Sequence, residues 1–176
     1  TKNNLQNLGP IIERPDDRLH RLGWKPSKFK RGDYVLICPP SAKVMKFYGL
    51  DVDEWMENTL SELKKHTDRK LVVRLKPSRR ERVTQNTIWD ALKEAHCLVT
   101  FNSIAATEAL LVGKPAIALA PNAAQALCNK NLHDVEALNY PSIDEVHAFA
   151  RHLSYCQFTA NELRSGYAWD ILNEGS

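Results

Sequence analysis

Three short stretches hold side chains suited to gripping phosphate oxygens and sugar hydroxyls: Ser41 behind Pro39-Pro40, the run Arg74–Arg82, and Asn102-Ser103 with Thr107 and Glu108. Ser41 offers a hydroxyl, and its turn offers N–H groups, the donors that diphosphate oxygens need. The run from Arg74 to Arg82 carries five cations in nine residues, Lys76 and Arg79 among them. Arginine suits bidentate phosphate contact and lysine a point charge. Ser103 and the amides after it can hold a phosphate at a helix start, and Glu108 can accept bonds from ribose hydroxyls. Ala105 and Ala106 beside them leave room for a ligand. Each stretch also has a plainer reading: a Pro-Pro turn, a solvated basic run, and ordinary helix capping. Other chemistries find little support. The six histidines form no metal-ligand pattern such as HExxH, and GxSxG, P-loop and GxGxxG motifs are missing. Asp51, Asp53, Glu54 and Glu57 read as the cap and solvated face of a helix, so no general base is named.

The elements that must position these residues alternate. Tyr34–Cys38 is a strand closed by Pro39-Pro40, and Asp51 or Asp53 caps a helix running to about His66. Leu71–Leu75 is a second strand. Asn86 or Thr87 starts a helix through about Ala95, with Ile88, Trp89 and Leu92 on one face. Leu98–Phe101 is an apolar third strand, Asn102-Ser103 starts a helix over Ile104–Val112, and Gly113 with Pro115 ends it before a fourth strand, Ala116–Leu119. Ala123–Cys128 is an Ala-rich turn. Ser142 caps a helix over Ile143–Tyr155, and Thr159 with Glu162 forms a capping box for a last helix, Ala160–Leu172. This order predicts an α/β fold: a single Rossmann-like, doubly wound parallel sheet with C-terminal helices. The three chemical stretches then follow three strands and meet at the carboxyl edge, where open α/β sheets bind ligands.

At 176 residues the chain supports one domain. Residues 1–31 hold Pro10, Pro15, Pro26 and a basic tail without convincing periodicity, and read as an arm or interdomain linker; residues 32–176 read as the folded domain. Hydrophobic content of 43% with 26% charged residues is that of a soluble globular protein, and no apolar run is long enough to span a membrane. Four cysteines without zinc-like spacing suit small buried hydrophobes in a reducing compartment, so the expected location is the cytoplasm. Charge is uneven. Residues 1–100 hold 20 Lys/Arg against 13 Asp/Glu and residues 101–176 hold 4 against 8, which favours an anionic ligand on one face.

With these residues in place, the chain resembles the C-terminal, donor-binding half of GT-B glycosyltransferases, and within them a group of bacterial and phage proteins. The matching segments are GDYVLICPPS (32–41), LVVRLKPSRRER (71–82), AHCLVTFNSIAATEALLVGKPAIAL (95–119) and QFTANELRSGYAWDILNE (157–174). That half binds the nucleotide diphosphate of an activated sugar. The resemblance therefore implies phosphate contacts near Ser41 and Ser103, a basic contact from Lys76 or Arg79, and a nucleoside contact near Asn122 or Glu108. It also implies glycosyl transfer once an acceptor domain is supplied by another chain, a dimer partner or a longer parent, with no metal or other cofactor, in the host cytoplasm if phage-encoded. The RLKPSRRER loop departs from some relatives in lacking a histidine. The alternative is a non-catalytic binding module that uses the basic 74–82 loop on nucleic acid, a nucleotide or a protein partner. The cations have no interleaved aromatics, which weighs against nucleic acid. An epimerase-like enzyme on the same fold is a third reading.

Overall fold

The computed structural model describes residues 10–76 and 87–173. Its elements are α1 (Asp17–Leu22), β1 (Tyr34–Cys38), α2 (Ala42–Phe47), α3 (Val52–His66), β2 (Lys70–Val73), α4 (Ile88–Leu92), β3 (Ala95–Thr100), α5 (Ala105–Leu111), β4 (Ala116–Ala118), a 3-10 helix (Leu132–Glu136), α6 (Ile143–Ser154), α7 (Ala160–Arg164) and α8 (Tyr167–Asn173). The four strands pair in parallel in the order β2-β1-β3-β4. Alternation along β1 sends Leu36 and Cys38 to one face and Val35 and Ile37 to the other. Helices α4, α5 and α6 cover the first face through Leu92, Leu110 and Phe149, and α3 with the 3-10 helix covers the second through Leu63 and Val135. Both faces of the sheet are thus covered, as an all-parallel sheet requires, and the central strand β3 is buried along its whole length. The chain leaves β1 toward β2 on one side and returns to β3 on the other. The topological switch point therefore lies between the ends of β1 and β3. Among the described residues, no helix is long and apolar enough to cross a membrane.

Local rules account for most boundaries. Asp51, not Asp53, caps α3, accepting from the Asp53 and Glu54 amides, and Thr87 caps α4 in a reciprocal box with Asp90. Ser142 with Glu145 and Thr159 with Glu162 form two more such boxes. Four expectations need correction. Residues 17–22 of the expected arm form a helix, because Asp17 at its start and His20-Arg21 at its end complement the helix dipole and Gly23 closes it at φ +65°. Ser41 caps an unexpected helix, α2, whose Met45 is buried under Phe101 and Ala120. α4 stops at Leu92, so β3 starts at Ala95 rather than Leu98. The last helix breaks at Ser165-Gly166, where Gly166 takes φ +83°, giving α7 and α8.

The segment before β1 is fastened by backbone approach. The Asp33 amide donates to the Glu94 carbonyl at 2.8 Å, and a Cβ on Gly32 would lie 2.2 Å from that same oxygen. Farther back, the Lys30 amide donates to the Gly113 carbonyl at 3.2 Å, and the buried Lys114 ammonium donates to the Lys30 carbonyl at 3.1 Å. Burial pushes the Lys114 pKa down, since removing water disfavours the charged form.

His152 on α6 holds the start of the arm: its Nδ1 accepts the Ile12 N–H at 3.2 Å. Burial, reinforced by nearby Arg14, pushes its pKa below the ordinary value of 6.5, so the fold favours the neutral ring that can accept this bond. The resulting stability is fully present above pH 6.5 and is lost as pH falls from there through the lowered folded value. Hydrogen exchange at the Ile12 amide, corrected for its intrinsic rate, should quicken as pH drops from about 7 to about 5. Constant protection over that range would refute this role for His152.

Candidate functional site

The switch point is built around one hydroxyl. Thr100 Oγ1 donates to the Cys38 carbonyl at 2.7 Å, tying the ends of β1 and β3, and it accepts the Ser103 N–H at 3.3 Å. Thr100 is fully buried, so this bracket is held in a low-dielectric setting that strengthens it. It sets the turn from which α5 departs. Ser103 Oγ accepts the Ala105 N–H at 3.2 Å, and Ser41 Oγ accepts the Val44 N–H at 3.4 Å. Ser41 caps α2, whereas α5 has Ile104 at its N-cap position and no side-chain cap bond, so Ser103 braces its own turn instead of capping the helix as expected; the two turns flank the crevice from β1 and β3. α5 spans seven residues, about two turns, so its dipole is a modest source of anion affinity.

Charge enters from β2 and α5. The Arg74 N–H donates to the Ile37 carbonyl at 2.8 Å, carrying the β1–β2 ladder past the last residue of β2. Arg74 also acts electrostatically on both the Cys38 thiol at the end of β1 and the Glu108 carboxyl of α5. Burial pushes the Glu108 pKa up and Arg74 opposes it; burial pushes the Cys38 thiol up to about 12, making it an inert packing group. Lys76 is exposed on the segment after β2, and Arg79 lies outside the described residues. Asn102 is half-buried on the turn before α5. Asn122 is buried and closes its own turn, its Nδ2 donating to the Ala120 carbonyl at 3.2 Å and its Oδ1 accepting the Ala124 N–H at 2.8 Å.

Glu108 also lines a cavity of about 590 Å³, a volume suited to a drug-sized ligand. Thr107 stands beside it, 5% exposed, and its Oγ1 is buried without a hydrogen-bond partner. That hydroxyl is shielded from solvent, so it lies behind the cavity wall rather than open to a ligand. The rest of the lining is largely apolar: Trp89 of α4, Ile104 and Leu111 around α5, Ala150 and Leu153 of α6, then Phe158. The remaining wall is α1 with Arg18, Leu19, Arg21 and Leu22, followed by Trp24, together with the polar residues Ser154, Gln157, Thr159 and Glu162 from the end of α6 to α7.

Arg18 joins that wall to the far end of the chain. Its guanidinium donates to Glu162 Oε1 at 2.6 Å and to the Ser154 and Gln157 carbonyls, each at 2.7 Å. It also sits 5.3–5.8 Å from the centres of the Tyr155, Phe158 and Tyr167 rings. Hydrogen bonding by Arg18 holds the Glu162 carboxyl down at about 2. Asp17 accepts the Tyr155 hydroxyl at 2.6 Å, and Trp24 Nε1 donates to the Leu111 carbonyl at 3.2 Å.

The paired ends of β1 and β3 put the turns of Ser41 and Ser103 on either side of one crevice, whereas Thr107 and Glu108 lie in the wall of the cavity, which includes neither serine. Asn122 is engaged in its own turn. Sequence reasoning included Arg74 in the basic run without pairing it with Glu108, and missed Thr100 as the bracket and the α1 side of the cavity. A helix start was nonetheless readable in Pro15-Asp16-Asp17, with Gly23 as its stop. Among the described residues, no group of three or more His, Cys, Asp or Glu side chains is placed to hold a metal ion. No protein-family model matches the chain, and comparison with curated proteins returns no match.

Proposed function

We propose that this chain binds the nucleoside diphosphate portion of an activated sugar and acts as the donor half of a GT-B-type glycosyltransferase. The observation that carries the reading is Glu108: a half-buried carboxylate in the wall of a largely apolar cavity, within electrostatic reach of Arg74 and of Cys38 at the end of β1. A diphosphate in the crevice would meet the turn amides after Ser41 and Ser103 and the charge of Arg74 and Lys76. Ribose hydroxyls would donate to Glu108, and the base would lie against the apolar walls. During transfer the same cations would stabilise the charge that develops on the leaving diphosphate. The acceptor and its general base would come from an additional domain.

Calorimetric titration with CDP, UDP, ADP, GDP, inorganic pyrophosphate and a short DNA duplex tests this. One nucleoside diphosphate should bind more tightly than pyrophosphate, and Lys76→Ala should weaken both by roughly five- to tenfold through lost charge-assisted contact. Binding to DNA alone, with affinity falling steeply in salt, would instead support the nucleic-acid module.

A further inference from the structure

We propose that α1 is a closing wall of the ligand site, so that seating the ring portion of a nucleotide in the cavity and docking of residues 12–24 reinforce one another. This rests on the nucleotide reading above. Three large apolar side chains from three separate elements border the same cavity while staying exposed: Leu22 of α1 at 72%, Ile104 before α5 at 61%, and Trp89 of α4 at 42%. A planar ring entering between them would remove apolar surface from water on both its faces, and Leu22 would supply one of those contacts.

The α1 wall is attached through separable contacts. Its anchors are Arg18 to Glu162 and to the Ser154 and Gln157 carbonyls, Asp17 to Tyr155, and Ile12 to His152. Trp24 bonds to the Leu111 carbonyl and stacks on His147 at 6.2 Å between ring centres. Every anchor thus grips α5 or the α6–α8 region, the elements that form the facing walls or continue from them. A ligand touching both sides favours the docked state over the undocked one, and by linkage whatever favours docking raises ligand affinity.

Hydrogen exchange of the whole chain tests this, with and without the tightest-binding nucleoside diphosphate of the panel and, in parallel, inorganic pyrophosphate. The nucleotide should slow exchange across residues 17–24 by roughly fivefold or more, and pyrophosphate, which has no ring, should leave it unchanged. Leu22→Ser, a change at an exposed position, should weaken the nucleotide roughly tenfold and spare pyrophosphate. Arg18→Met should speed exchange in α1 and weaken the nucleotide together. If the nucleotide binds while exchange in α1 and its affinity for Leu22→Ser are both unchanged, the closing wall is wrong and the nucleotide reading stands. If no nucleoside diphosphate binds, both fall.

Discussion

Gly32→Ala is expected to destabilise the protein by about 3 kcal/mol and to lower its melting temperature by roughly 6–12 °C. A Cβ at position 32 would stand 2.2 Å from the Glu94 carbonyl oxygen and 2.4 Å from that of Ala95. Both are backbone atoms, so no side chain can swing away. Relief requires moving the chain off the start of β3, which breaks the Asp33–Glu94 bond and disturbs the register of β1 on β3. Those two strands form the centre of the sheet and both sides of the crevice, so stability and ligand binding should fall together. Gly113→Ala meets a similar obstacle, the Lys28 carbonyl at 2.4 Å, and adds the strain of φ +73°. Thermal denaturation followed by circular dichroism reads both. A Gly32→Ala protein melting within a degree or so of the parent would show that the approach can relax.

Glu108→Ala should act on ligand rather than on fold. Its carboxylate is half-buried and held partly out of water, so hydrogen bonds to ribose hydroxyls would form where competition from solvent is weak. Losing charge-assisted bonds of this kind costs about 1.5–3 kcal/mol, or roughly 10- to 150-fold in affinity. Pyrophosphate offers Glu108 no hydroxyl donor, so its affinity should hold or rise slightly as a negative charge leaves the crevice. Burial raises the Glu108 pKa, so its acceptor form is lost at a higher pH than for an ordinary carboxylate, and nucleotide affinity should weaken correspondingly early on acidification. Equal loss of nucleotide and pyrophosphate on Glu108→Ala would place the residue at the phosphates instead and overturn its ribose role.

The β3–α5–β4 unit was readable because every signal in it is local: an apolar run, a polar turn, a Gly-Lys-Pro stop. The same holds for the boxes at Ser142 and Thr159. α1 escaped because its buried contribution includes an arginine, and Arg18 reads as surface until its partners some 140 residues away are known. α2 escaped because six residues with one buried side chain carry no periodicity. Alternation puts the turns of Ser41 and Ser103 at one sheet edge, but it leaves the strand order open, and only the pairing of β1 with β3 sets those turns side by side. The cavity was not, since its walls come from α1, α4, α5 and α6, and only their packing creates the space.

The Arg18 anchors also bear on the order in which the chain folds. Its partners lie 136, 139 and 144 residues downstream, so the contacts close among the longest loops the chain can make. On the ribosome, α1 emerges well before its partners, and the sheet can pair before Ser154 or Glu162 has been made. Docking of the arm is therefore a late event, outside the folding nucleus. Weakening Arg18 should accelerate unfolding while leaving the refolding rate of the sheet nearly unchanged.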